Sequence, residues 1–158
     1  MDIRVREHLE RQPGCNKEWI DRYILFIESA PADVAQERDR HHILPKAVFP
    51  VFESFEKNPW NCKPLSYADH FRAHYFLFRA LPNEPPVYHA FWRMVAKALY
   101  RGDNDRLVNE LADRYREAIK SGLRCHWEEP VGVADLEALE KAHPELLEGL
   151  GADVKPSF

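Results

Sequence analysis

Apolar residues recur every three to four positions over most of the chain, which is the spacing of one buried helix face. The first such segment, Ile3 to Arg11, is predicted to end at Pro13-Gly14. A second helix is predicted between an N-cap at Asn16 and a stop at Pro31, and we expect its apolar face to be core. That face consists of Trp19, Ile20, Tyr23, Ile24 and Ile27.

Two more helices with aromatic faces are predicted in residues 82–124. The first begins at Pro85-Pro86 and stops at Gly102, and its apolar positions are Tyr88, Trp92, Val95 and Leu99. The second runs from about Asp103 or Asp105 to Lys120 and closes at Gly122, with apolar positions Val108, Leu111, Tyr115 and Ile119. Base-stacking aromatic residues would be exposed among basic side chains, whereas these follow the period of a packed core. We therefore expect core packing here.

The helical spacing is interrupted in the middle of the chain. Residues 40–45, R-H-H-I-L-P, form a short β-like run, and an aromatic connector without glycine follows over residues 47–55. The connector is predicted to be a short helix or a packed loop. Pro64 follows the connector, and in a strand a proline is tolerated only at a sheet edge or beside a bulge. The helix after it is predicted to begin at an N-cap, Ser66.

Length and composition indicate one globular domain that is mainly α, in the α+β class. The 158 residues are 45% hydrophobic and 30% charged, and no apolar run is long enough to cross a bilayer. Three widely spaced cysteines without a C-x-x-C pair argue against a disulfide framework or a thiolate zinc site, so we expect a cytoplasmic protein. Its segments are an N-terminal helical part (1–36), a central motif (37–81), a helical extension (82–124) and an acidic tail (125–158).

Charge is distributed unevenly along the chain. The formal net charge is −4, but residues 38–79 carry +3 and residues 80–124 carry +2, whereas residues 125–158 carry −6. The basic central part permits phosphate binding without requiring it. The tail has an amphipathic piece with four leucines, broken near Pro144, and could mimic DNA phosphates or dock on a partner. We favour a solvated helical face and a frayed end, so that the core should fold without the tail.

Four histidines are the candidate chemistry of the central motif. His70 and His74 lie four residues apart in a predicted helix, so both imidazoles lie on one face about one turn apart. His41 and His42 are adjacent in the β-like run, where neighbouring side chains point to opposite faces. One histidine of this pair could therefore turn to a metal held by the helix while the other points elsewhere.

The motif from Asp39 to Ala80 resembles that of the HNH nucleases. H-H-I-x-P, then W-N, then H-x-x-x-H is most similar to the pattern of the nuclease colicins, and small phage-type HNH endonucleases also carry H-H-I-x-P. The resemblance covers roughly a quarter of the chain. It implies a ββα-metal core, in which a β-hairpin and one helix surround a single divalent ion, embedded here in one helical domain. A phage-encoded member would act in the host cytoplasm.

The resemblance also implies a role for each polar residue of the motif. His41, His70 and His74 would be the metal ligands, and His42 would be the general base, a role suited to a side chain with an ordinary pKa near 6.5. The Asn61 side chain would orient the imidazole of His42. Asp39 would support a ligand or the hairpin from behind. The candidates for phosphate contacts are Arg40, Lys46, Lys63 and Arg72.

The implied cofactor is one divalent ion, which could be zinc, manganese, nickel or magnesium. Imidazole ligands suit zinc, nickel, cobalt or manganese better than magnesium, which prefers oxygen. The implied reaction is hydrolysis of phosphodiester bonds in DNA, with RNA less favoured, that leaves 5′-phosphate and 3′-hydroxyl ends. We expect no membrane partner, and the sequence does not predict an oligomeric state.

Two other classes of function stay open. The chain could be a DNA-binding or phage-assembly module, without catalysis or activated by a partner, whose metal stabilises the hairpin. It could instead be a toxin-like nuclease, although it lacks a strongly basic composition. H-x-x-x-H alone is weak support for any of these, and Phe71 excludes the H-E-x-x-H pattern of zinc proteases.

Overall fold

A computed structural model describes residues 1, 3–32, 40–97, 106–122 and 132–151 of the chain. Most of these residues are helical, and a small antiparallel sheet completes the architecture, which confirms the predicted fold class. The helices are α1 (Ile3–Glu10), α2 (Lys17–Ser29), α3 (Tyr67–Ala80), α4 (Pro85–Lys97), α5 (Arg106–Gly122), α6 (Val133–Ala142) and α7 (Glu145–Leu150). The strands are β1 (Arg40–His42) and β2 (Cys62–Pro64).

Local signals in the sequence begin and end the helices around the site. The Asn16 side chain accepts a hydrogen bond from the backbone N–H of Trp19 at 3.2 Å, and Ser66 caps α3 by accepting from the N–H of Asp69 at 3.1 Å. Both predicted N-caps are confirmed. Between α1 and α2, Gly14 has φ +70°, and a Cβ there would overlap the side chain of Asn83. Only glycine fits this turn.

The two strands form an antiparallel hairpin whose second strand leads into α3. His41 pairs with Lys63, and Arg40 pairs with Pro64 at the end of the ladder, an edge position that tolerates proline. The connector between the strands contains two 3₁₀ turns, Pro50–Phe52 and Pro59–Asn61. It is therefore the packed loop with short helical turns that its sequence predicts.

Helix α1 packs against this connector. The ring of His8 meets Phe49 and Phe52 edge-on, with centroids 5.7 and 5.0 Å apart. The guanidinium of Arg4 lies over the ring of Trp60, 4.4 Å from its centroid. The aromatic residues of the connector are thus held by the N-terminal helix.

Helix α3 is the centre of the core, because it packs against α2 on one side and α4 on the other. Its Phe71, Tyr75 and Phe78 are fully buried and contact the buried ring of Phe91 on α4. Tyr115 from α5 contacts the same ring with centroids 5.5 Å apart. Of the core positions predicted on α4 and α5, Trp92, Val95, Leu111 and Tyr115 are buried and Tyr88 is half-buried, whereas the central ring of Phe91 was not predicted. Leu99 and the Gly102 stop lie outside the described residues.

The part of the acidic tail that the structure describes is not a solvated face, and that expectation is wrong. Helices α6 and α7 are separated at Pro144 as predicted, but their apolar positions belong to the main core. The Glu140 side chain is 3% exposed and pairs with Arg79 of α3 at 2.5 Å. The completely or nearly completely buried leucines are Leu136, Leu139, Leu146 and Leu150.

In the described ranges, we find no helix that is both long and apolar enough to span a membrane.

Candidate metal centre

Three histidine side chains converge where β1 meets the first turns of α3. The ring centroid of His41 lies 5.3 Å from that of His70 and 5.2 Å from that of His74, and the two helix rings are 4.8 Å apart. One nitrogen from each ring can be chosen so that all three lie within 4.8 Å of one another. The predicted set of three imidazoles is thus brought together.

Strand alternation and helix periodicity produce this convergence. In β1, Arg40 is exposed, His41 is 1% exposed and His42 is half-buried, so that His41 alone of the three turns into the core. On α3 the spacing of four residues places His70 and His74 on one face. Their Nε2 atoms are 3.1 Å apart.

Burial keeps two of these imidazoles neutral. Desolvation lowers the pKa of His41 well below its ordinary value, and the imidazoles of His74, His70 and His42 lower it further. Burial, the neighbouring His70 and then Arg93 lower the pKa of His74 to about 3. A neutral imidazole keeps the lone pair that a metal ligand needs.

The two helix donors have the separation expected around a divalent ion, and the candidate ligand atoms of all three histidines lie within 4.8 Å of one another. Two nitrogens that share a tetrahedral ion at about 2.0–2.1 Å lie about 3.3 Å apart, close to the 3.1 Å between the helix histidines. Three neutral imidazoles suit zinc, nickel, cobalt or manganese better than magnesium. Three protein ligands also leave positions for water or substrate, as a catalytic site requires.

The fourth histidine, His42, is held apart from this cluster by the connector. Its Nε2 lies 2.9 Å from the backbone oxygen of Glu53, and its ring stacks on Phe55 with centroids 4.0 Å apart. Because a carbonyl oxygen only accepts, Nε2 carries the proton in this contact, and a neutral ring then has its lone pair on Nδ1. This is the arrangement that a general base needs.

The hydrogen bonds of the Asn61 side chain go to backbone groups around the hairpin and not to His42. Its Oδ1 accepts from the N–H of Leu44 at 2.6 Å. Its Nδ2 donates both protons, to the carbonyl oxygens of Leu44 and Phe52, each at 3.1 Å. The carbonyl that holds His42 belongs to the next residue, Glu53, so Asn61 orients the imidazole only through the connector backbone.

The predicted phosphate-contact residues divide into two groups. Arg40 and Lys46 are exposed at the histidine cavity, where Lys46 is 3.9 Å from a carboxylate oxygen of Glu53. By contrast, Lys63 donates from Nζ to the backbone oxygen of Ile27 at 2.6 Å, which holds its ammonium group against α2. Arg72 pairs with Asp69 at 3.0 Å. The predicted support residue, Asp39, lies outside the described residues.

The four histidines face a common cavity of about 340 Å³ between β1, α3 and α4. Arg40, Lys46 and Arg93 supply positive charge to its lining. A second cleft of about 480 Å³ shares His70, His74 and Arg93 and continues along α4 to Lys97. The histidine cluster therefore lies in an open, locally basic groove.

Two residues of the site were missed in the sequence. Tyr23 of α2 is fully buried with its hydroxyl 2.8 Å from Nε2 of His41, but at its position in the apolar face it reads as core. Arg93 of α4 is exposed beside the cluster. The sequence indicated only that Arg93 belongs to a basic segment. Its place in the site could not be predicted, because the sequence does not show which side of α4 faces α3.

Comparisons with protein-family models, with curated proteins and with solved structures found no match to this chain. The case for its function therefore depends on the motif and on the geometry of the site.

The metal-free protein is expected to lose stability as the pH falls from 7 to 5. The folded-state pKa of His74, about 3, lies below the ordinary value of 6.5, so below pH 6.5 the unfolded chain binds a proton that the folded chain does not. The free energy of unfolding then falls with decreasing pH, by about 1.4 kcal/mol per pH unit for each such histidine.

Urea unfolding in EDTA at pH 7, 6 and 5 measures this slope. The variant His74→Gln, which cannot titrate, should show a shallower slope over the same window. Equal slopes for the two proteins would contradict the assignment of the pH dependence to His74.

Proposed function

We propose that the chain is a metal-dependent endonuclease of the HNH type that hydrolyses phosphodiester bonds in DNA. One observation carries the proposal: a single basic cavity is lined by three convergent imidazoles and by a fourth, His42, whose Nε2–H is held by a backbone carbonyl. Separate groups are thus available for metal binding and for proton transfer. The choice of DNA follows the motif resemblance.

In the proposed reaction, water attacks phosphorus and the bond to the 3′-oxygen breaks. His42 takes the proton of the water on Nδ1, while Glu53 keeps the ring in place through Nε2–H. The 3′-oxygen leaves and takes a proton from solvent, so the products are a 5′-phosphate and a 3′-hydroxyl. A divalent ion held by His41, His70 and His74 would stabilise the negative charge that develops on the phosphate and on the leaving oxygen.

Positive side chains around the cavity would bind the phosphate backbone. Arg93 is best placed, because it lines both the histidine cavity and the cleft that continues along α4. Arg40 and Lys46 are on the opposite, β1 side of the cavity. A strand between these sides would meet cationic groups on both, although the whole protein has a net charge of −4.

A second candidate is a metal-stabilised DNA-binding module without catalysis. It is favoured by the position of the ligands, since an ion held by His41 and the two helix histidines would fasten β1 to α3. This function needs the metal and the basic groove but has no use for a free base at His42.

Cleavage by the purified protein tests the proposed function. Supercoiled plasmid, single-stranded DNA and RNA would be incubated with EDTA-treated protein, and then with added manganese, magnesium, nickel, cobalt or zinc. We expect nicking or linearisation of DNA that depends on the metal. Tight metal binding without cleavage of any nucleic acid would reject the nuclease and favour the metal-stabilised module.

The variant Arg93→Gln is expected to bind DNA several-fold more weakly than the parent protein. The negative slope of log K against log salt should become shallower by about one. Fluorescence anisotropy with labelled DNA, across a salt series and with metal present, measures this in protein that carries His42→Ala to prevent cleavage. Arg114→Gln, an exposed change of the same charge on α5, is the control for Arg93→Gln. Equal salt slopes for the two variants would exclude a phosphate contact at Arg93.

A further inference from the structure

The hydroxyl of Tyr23 on α2 is in direct contact with the histidine cluster. Tyr23 is 0% exposed, and its Oη lies 2.8 Å from Nε2 of His41 and 2.7 Å from the backbone oxygen of Ile43. Both partners belong to the hairpin segment that supplies the first candidate ligand. The helix before the motif therefore contacts the site through a polar group.

Hydrogen-bond chemistry fixes the direction of both contacts. The carbonyl of Ile43 can only accept, so the single proton of the Tyr23 hydroxyl is donated there. A phenol is protonated at neutral pH, so the hydroxyl has this proton to donate. Toward His41 the Tyr23 oxygen can then only accept, and Nε2 of His41 must carry the hydrogen. A neutral imidazole has one N–H, so its lone pair is on Nδ1.

We propose that Tyr23 is a positioning residue that holds His41 as the Nε2–H tautomer and thereby presents Nδ1 to a divalent ion. This inference rests on the proposed metal site of His41, His70 and His74. It assigns to α2, which lies outside the hairpin-helix motif, a part in metal binding. The ring orientation and the tautomer of His41 are set before any ion arrives.

A second contact supports this role of α2. Lys63, which pairs with His41 across the hairpin, donates from Nζ to the carbonyl of Ile27, one turn beyond Tyr23. A hydrogen bond to α2 thus holds each strand of the hairpin, at His41 in β1 and at Lys63 in β2. Without the Tyr23 hydroxyl, the Nε2–H of His41 would be buried without this acceptor, and the other tautomer would place hydrogen on the ligand nitrogen.

The matched variants are Tyr23→Phe and Tyr115→Phe. Each removes one buried hydroxyl and keeps the ring, but Tyr115 donates to Glu140. Calorimetric titration with zinc or cobalt should show that Tyr23→Phe weakens metal binding about 10- to 100-fold. Tyr115→Phe should lower stability and leave the metal affinity unchanged.

The tautomer itself is read in the metal-free wild-type protein by long-range ¹H–¹⁵N NMR, with the His41 signals assigned by comparison with His41→Gln. We expect the Nε2–H form. Observation of the Nδ1–H form would overturn the proposal, and so would equal metal affinities for Tyr23→Phe and the wild type. The wild-type spectrum decides even if Tyr23→Phe does not fold.

These readouts separate the inference from the proposed nuclease. Protein that shows the expected tautomer and affinities but cleaves no nucleic acid would refute the enzyme and retain the role of Tyr23. Wild-type protein that binds no divalent ion would overturn both.

Discussion

Replacing His42 with alanine is expected to reduce cleavage by about 10²- to 10⁴-fold, the usual contribution of a general base, and to leave metal binding intact. The ring of His42 is held by the carbonyl of Glu53 and by Phe55, not by the imidazole cluster. Its removal therefore takes away the proton acceptor without removing a ligand. His42 is half-buried, so the fold should tolerate alanine there.

The variant to compare with His42→Ala is His70→Ala. His70 supplies one of the three convergent nitrogens, so its loss should weaken metal binding itself and reduce cleavage as a consequence. Single-turnover cleavage and calorimetric metal titration on both variants distinguish the two roles. If His42→Ala lost metal as severely as His70→Ala, the assignment of His42 as base would be wrong.

The largest effect on stability is expected for Glu140→Ala, which should lower the free energy of unfolding by about 3–5 kcal/mol. Glu140 pairs with Arg79, whose side chain is 10% exposed, and accepts from the hydroxyl of Tyr115 at 3.2 Å. Its removal would leave the guanidinium largely buried without this carboxylate. The pair also joins α6 to α3. We therefore expect that removal of the residues after 131 would destabilise the fold.

Glu137→Ala is the matched control for this change. Glu137, three residues before Glu140 on α6, pairs with the same Arg79 at 3.1 Å, but its side chain is 62% exposed. An exposed ion pair contributes about 0–1 kcal/mol, so its loss should hardly shift the urea midpoint. Similar losses in the two variants would show that burial of the carboxylate is not what makes the Glu140 pair important.

Local features of the site could be predicted from the sequence because neighbouring residues determine them. The cap at Ser66 and the single face shared by His70 and His74 follow from local residue chemistry and helix geometry, and strand alternation indicated that one of His41 and His42 turns inward. The choice of His41 as that residue followed the motif resemblance. The pattern indicated the first strand, whereas the two-stranded hairpin was implied by the motif resemblance, with Pro64 tolerated at its edge.

Contacts between distant residues could not be predicted in this way. Tyr23 lies 18 residues before His41 and has the same spacing as its apolar neighbours, so nothing local distinguishes it from core. Glu140 lies 61 residues after Arg79, and the acidic composition around it indicated a solvated helix although its leucines were correctly spaced for burial. The resemblance implied that Asn61 orients His42, but it did not show the route, which runs through the backbone groups of Leu44 and Phe52.

The packing of α1 on the connector limits how this nuclease-like unit could be transplanted. Arg4 and His8 of α1 contact aromatic rings of the connector, and the carbonyl of Glu53 in that connector accepts from His42. Tyr23 of α2 contacts His41. Both helices precede the motif in the sequence. A fragment that began at Asp39 would keep every residue of the motif but would lose the contacts that α1 makes with the connector and that α2 makes with His41. A fragment made for transfer to another protein should therefore start at α1, ahead of the first motif residue.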